Sequence, residues 1–334
     1  MATPAERGFR LPAATAAHER TVMAWPTMRR IDFWRGHLGA ARDAFAATAR
    51  LIAEREPVLV VADEGEGRAA AGWLGDGIEV VELALDDSWI RDTGPVVVVD
   101  EAGERLAVHL GFNGWGERLA PWDRDAELAS PLAAHLGLPV ERAPFVLEGG
   151  AFVGNGRGTI VVSESCVLDE RRNPGLARSP AEDLLRAWLG VERVVWIAGG
   201  LADDRAGGHI DDVVAFTDDP DRVLLQTTTD TDDPDHAAAA DARRRLEEAG
   251  LDVVEIDVLP HVECFDEIVE VPYVGFYVGD GSTRPRRRRR RRRRMLDLIG
   301  AQFPGRETVP VPATVLAYGG GGVHAITTSV PAGR

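Results

Sequence analysis

The sequence predicts an α/β protein folded as a single domain, and three observations carry that expectation. Short Val- and Ile-rich runs recur along all 334 residues, each bounded by Gly, Pro or Asp. Stretches with apolar positions at three- and four-residue spacing lie between them. No Pro-, Gly- or Ser-rich linker is long enough to divide the chain.

Taken in order, the strand-like runs are Pro57–Ala62, Ile78–Leu83, Pro95–Asp100, Gly158–Val162, Arg193–Ile197, Val213–Phe216, Val223–Gln226, Val253–Asp257 and Tyr273–Val278. Four to six β-branched or aliphatic residues between turn formers is the pattern of a buried strand. Helical periodicity covers His37–Glu56, Asp125–Leu138, Pro180–Leu189 and Ala237–Gly250, the last closing on a glycine suited to a C-cap.

Charge and cysteine usage exclude several function classes. The net charge is -16, and all 38 basic residues are arginine, nine of them in one run, Arg286–Arg294. Without that run the charge falls to -25, from 29 basic and 54 acidic residues. So acidic a body repels nucleic acid and anionic membranes and favours a small cationic ligand. Segment 284–294 has no interleaved aromatics, and nine adjacent like charges repel, so it is expected to be exposed or disordered. The two cysteines, Cys166 and Cys264, form neither a disulfide framework nor a zinc pattern. The N-terminus lacks the apolar stretch of a secretory signal and no run reaches ~20 apolar residues, so a cytoplasmic location is expected.

Four segments set polar residues and glycines beside apolar runs: Asp86–Pro95, Leu147–Gly150, Ala206–Asp212 and Tyr318–Thr328. Singly, each suits a turn. Together they place acids and histidine at strand ends, where α/β folds assemble sites. Asp92, Glu148, His209 and Asp211 are the candidates. His209 and Asp211 share a face if they lie on a strand. The same set could hold a divalent metal, but without ligand-rich His-x-Glu-x-x-His spacing no metal or other cofactor is assigned.

Eight segments in sequence order resemble the agmatine deiminase family, the bacterial peptidyl-arginine deiminase type of guanidino-group-modifying enzyme. They are Met23–Pro26, Asp86–Pro95, Phe112–Gly116, Pro121–Asp125, Leu147–Gly150, Arg172–Pro174, Gly207–Asp211 and Gly319–His324. The resemblance implies the pentein fold, five ββαβ blades about a pseudo-fivefold axis, spanning residues 1–334. It implies hydrolysis of agmatine to N-carbamoylputrescine and ammonia, in putrescine formation, or conversion of an arginine-type substrate to a citrulline-type product. The related amidinotransferases share that fold and chemistry. Carried over by motif, Asp92 and Asp211 bind the guanidinium, Glu148 pairs with His209, and His209 is the general acid and base. Asp86, Trp89 and Trp115 join the substrate-binding set, with Asp86, Asp87 and Glu117 available for a distal ammonium. The partner is a small guanidino cation, and a homo-oligomer is compatible with the resemblance.

One departure bears on the chemistry. The family's nucleophilic cysteine follows Gly-Gly-Gly-Gly-Val-His, and that position is Ala325. Neither cysteine replaces it: Cys166 reads as a small buried residue, and Cys264 matches no nucleophile motif. The chain as written is therefore expected to be inactive. Because the other site residues are intact, a single Cys→Ala replacement is favoured over the drift of a pseudoenzyme, with a non-catalytic guanidinium binder as the alternative.

Overall fold

The computed structural model describes residues 2–279 and 290–333, with backbone alone for 290–293. Five small sheets are present among the described residues: one of four strands, three of three and one of two. Three follow a single plan. In Val96–Val99, Arg105–Gly111 and Val140–Val146 the first pair is an antiparallel hairpin, and the second is parallel, joined through helix Asp125–His135. Phe152–Gly154, Thr159–Ser163 and Arg193–Ile197 repeat it through helix Arg178–Leu189. Val214–Phe216, Arg222–Gln226 and Asp252–Ile256 repeat it again through helix Asp235–Glu248. A parallel pair needs such a crossover, whereas a hairpin needs only a tight turn.

The four-stranded sheet applies the plan across the chain ends. Thr327–Pro331 lies antiparallel to His18–Ala24, which runs parallel to Val58–Ala62 beyond helix Leu38–Ala53. Glu79–Glu82 extends the sheet in parallel after helix Gly67–Leu74. C-terminal residues thus pair with N-terminal ones, fixing the segment before Thr327 against the start of the chain. The helices bury one face each. Leu38–Ala53 turns Ala41, Phe45 and Ala49 inward, where Phe45 meets Trp89 in a core that also holds Trp25, Trp34 and Tyr318. Burying an aromatic of this size removes ~150–250 Å² from water.

Eight of the nine expected strands and all four helices form, with shifted ends. Helix Asp235–Glu248 stops two residues before Gly250, whose φ of 75° lets Leu251 N–H return to the Leu246 carbonyl. Tyr273–Val278 is the exception. It joins no ladder among the described residues, and the Gln226 side chain takes the Tyr273 N–H instead (2.9 Å). The two-stranded sheet is the neighbouring hairpin, His261–Cys264 with Glu267–Glu270. Of segment 284–294, residues 284–289 lie outside the described residues. Arg290–Gly300 is helical, and Arg294 is exposed near Asp257. Among the described residues no helix is long and apolar enough to cross a membrane.

Candidate functional site

The four polar segments occupy equivalent places in the repeat. Each leads into the first, antiparallel strand of its sheet: Asp92 before Val96, Glu148 before Phe152, His209 and Asp211 before Val214, and Ala325 before Thr327. Backbone hydrogen bonds stitch them together. Ala325 accepts from Arg91 N–H (3.2 Å), in the short helix Ile90–Thr93 that carries Asp92. Gly150 N–H donates to Asp92 Oδ1 (2.9 Å), and the Gly150 carbonyl accepts from Ile210 N–H (2.8 Å) and Asp211 N–H (3.3 Å). His209 and Asp211 are therefore presented by the loop and turn that lead into Val214, so the shared face they would have on a strand does not apply.

His209 sits between two acids. Its Nδ1 is 3.8 Å from Asp92 Oδ2 and its Nε2 3.9 Å from Glu148 Oε2. Both contacts are ion pairs longer than hydrogen bonds, and Nε2 has no hydrogen-bond partner among the described residues. The ring passes so close to Gly150 that a β-carbon there would lie 2.4 Å from Nδ1, which only glycine avoids. Burial opposes a charge on His209, yet Asp92 and Glu148 outweigh it and hold its pKa well above the ordinary value.

Glu148 is fully enclosed, and its nearest partner is one that motif transfer left without a role. Arg172 Nε donates to Oε1 (2.8 Å) and Oε2 (3.0 Å), while its Nη2 donates to the Ala206 carbonyl (2.6 Å); neither side chain reaches solvent. Burial would raise the Glu148 pKa, but His209 and Arg172 bring it below the usual value. Asn173 ties the same loop to the Val146 backbone. Asp204 is a further residue not anticipated. Its carboxylate accepts from the N–H groups of Ala206, Gly208 and His209, shaping the loop that presents the imidazole. An Arg-Asn-Pro run and an acid five residues before the histidine were both visible, but nothing local marked their partners.

Asp92 accepts from Trp115 Nε1 (3.0 Å) as well as Gly150. Trp115 reaches it from left-handed backbone (φ 59°, ψ 48°), uncommon for a bulky residue. Burial raises the Asp92 pKa, His209 opposing and Glu148 adding to the effect. Asp211 is raised well above its usual range by burial and by Asp212, with His209 and Arg91 pulling the other way. No hydrogen bond reaches the Asp211 carboxylate among the described residues.

Trp89, which is buried, packs against Trp34 and Phe45, and its edge meets the space beside Gly321 where the Ala325 methyl lies. Asp86 and Asp87 are elsewhere. Asp86 accepts from Arg124 N–H, Asp87 pairs with Arg30 Nε (3.0 Å), and Asp125 accepts from the N–H groups of both. This cluster is closed in the interior among its own partners, with Asp86 2% exposed. Glu117 is exposed, also at positive φ (61°). Cys166 is fully buried, within 4.8 Å of ligand atoms of His209 and Glu148. Burial pushes its thiol up to about 11, His209 opposing and Glu148 adding, so it is a protonated neighbour and not a nucleophile at neutral pH. Arg172 already occupies both Glu148 oxygens, which argues against a cation in that group.

An α/β frame that gathers buried acids around one histidine at equivalent strand entries defines a class of acid-and-histidine sites. The chain belongs to the Porphyromonas-type peptidyl-arginine deiminase family, whose sequence profile matches residues 10–331. The agmatine deiminase of Pseudomonas aeruginosa is 36% identical over 368 aligned residues, covering 99% of this chain and 98% of that one. That of Stutzerimonas stutzeri is 34% identical over 366, covering 99% and 97%. A solved structure of Enterococcus faecalis agmatine deiminase catalysing its reaction matches with TM-score 0.91 at 30% identity, over 99% of this chain and 98% of that one.

Proposed function

We propose that the chain is a guanidine deiminase site, of the agmatine type, that lacks its nucleophile. The observation that carries this is the convergence of Asp92, Glu148, His209 and Asp211 from three distant segments, with the carbonyl of residue 325 bonded to the residue before Asp92. On this view the five sheets stand as blades about one axis, with the strand entries meeting at its end.

A guanidinium spreads its charge over three nitrogens, so its carbon is a poor electrophile. Asp92 and Asp211 fix the planar cation through charge-assisted hydrogen bonds worth roughly 1.5–3 kcal/mol each. With a thiolate at position 325, sulfur attacks the carbon and gives a neutral tetrahedral adduct. Protonated His209 donates to one terminal nitrogen, the C–N bond breaks, ammonia leaves, and a cationic amidino-thioether remains. Neutral His209 then takes a proton from water as it adds to that carbon. The thiolate departs, and loss of a proton leaves the ureido product. Glu148, held by Arg172, keeps His209 able to carry its proton.

A methyl group cannot attack carbon. By comparison with nucleophile deletions in other covalent enzymes, loss of the group costs about 10⁶-fold. The chain as written therefore binds guanidines without turning them over. The test is Ala325→Cys, assayed for ammonia release from agmatine, arginine and an arginine-terminated peptide. Turnover of agmatine supports the proposal. Agmatine binding with no turnover of any substrate identifies a dedicated guanidinium binder instead.

A further inference from the structure

Arg91 stands between the proposed nucleophile position and the carboxylates. Its N–H donates to the Ala325 carbonyl (3.2 Å), and its Nε reaches the His324 carbonyl (3.4 Å). One residue thus holds two consecutive carbonyls of the segment that would bear the nucleophile. Its backbone also packs on Gly149, where a β-carbon would lie 2.1 Å from the Arg91 carbonyl, so any shift of Arg91 reaches the Glu148 loop.

The guanidinium itself makes no ion pair among the described residues. It lines a cavity of about 120 Å³ that also touches Asp211, His324 and Tyr277 and extends to Leu11–Ala14. Asp92 and Asp211 are the acids whose field it feels, beside Tyr277, while Asp211 faces Asp212, His209 and Asp92 as well. A guanidinium hydrogen-bonded to Asp211 would fill the edge a flat cation needs. One turned through Nε to the His324 carbonyl supplies charge and leaves those oxygens open.

Building on the guanidine-binding function proposed above, we infer that Arg91 is a positioning residue. It clamps the backbone at residues 324–325 and serves as a cation behind Asp211, opposing burial and Asp212 in favour of the charged carboxylate and leaving its oxygens free for the substrate. Burial works against its charge, and Tyr277, Asp211 and Asp92 work in favour of it.

Agmatine binding to the chain as written, measured by calorimetry between about pH 5 and pH 8, separates the two parts of this role. Arg91→Met is expected to weaken binding at least about tenfold at neutral pH and to move the midpoint of its pH dependence upward. Arg91→Lys keeps the charge and the midpoint; in the Ala325→Cys background it lowers kcat at nearly unchanged KM, because the side-chain clamp on the carbonyl is altered. A folded Arg91→Met chain with the original affinity and midpoint overturns the inference. Should Arg91→Met fail to fold, Arg91→Lys decides, and an unchanged kcat refutes the clamp. If the chain as written binds no agmatine at any pH, the guanidine-binding proposal itself fails, irrespective of Arg91.

Discussion

Replacing Arg172 by methionine probes how the site is held together. The substitution keeps an unbranched apolar stem of similar length and removes two charge-assisted bonds to Glu148, one to the Ala206 carbonyl and a longer one to Asp169 (3.4 Å). Both partners of the ion pair are fully shielded, so water cannot replace the lost cation. Leaving one charge of a buried pair uncompensated costs roughly 3–5 kcal/mol, a large fraction of the ~5–15 kcal/mol that holds a typical domain folded. Urea unfolding of Arg172→Met should show a lower midpoint at unchanged slope. Adding Glu148→Gln removes the stranded charge. The double variant should therefore be more stable than the sum of the two single losses predicts, by roughly 1–3 kcal/mol. Agmatine affinity should fall in Arg172→Met, since Glu148 then rises in pKa and His209 loses its partner. A cost below about 1 kcal/mol, or strictly additive losses, refutes the claim that Arg172 is the counter-ion of the site.

Two further predictions concern other parts of the structure. The Asp125 carboxyl is pushed up to about 8 by burial and by Asp87, against the bonds it accepts from Asp86 and Asp87. A folded-state pKa above the unfolded value means that stability present at low pH is lost as pH rises from about 4 through about 8. Asp125→Asn should gain on the parent chain by on the order of 2–4 kcal/mol between pH 5 and pH 8, read from urea midpoints at the two pH values, and a constant difference contradicts this. Gly150→Ala sets a methyl where the His209 ring lies and should weaken agmatine binding more than tenfold with the fold retained; unchanged affinity would show that the ring has room to move.

Much of the fold was legible because strands such as Val96–Val99 and Arg193–Ile197 are β-branched or aliphatic runs between turn formers, a local signal. Tyr273–Val278 carries the same signal without a ladder among the described residues, because pairing is a property of neighbours and not of the segment. Val140–Val146 and Arg105–Gly111 escaped notice in the opposite way, since Arg, Glu and His interrupt their apolar pattern while pairing holds them extended. In the site, Asp92, Glu148, His209 and Asp211 stood out as acids and histidine beside glycines. Arg172 and Asp204 did not, because their significance lies in partners 24 residues away for Arg172 and in loop N–H groups for Asp204. Asp86 shows the converse: a motif neighbour of Asp92 by sequence, it faces Arg124 and Asp125 in the interior.

Mass spectrometry of the acid-quenched Ala325→Cys chain during turnover of agmatine addresses the central claim most directly. The expected result is an added mass equal to agmatine less one ammonia, located on residue 325 and absent from the parent chain. Ammonia release without that adduct, or an adduct on Cys166 instead, contradicts it.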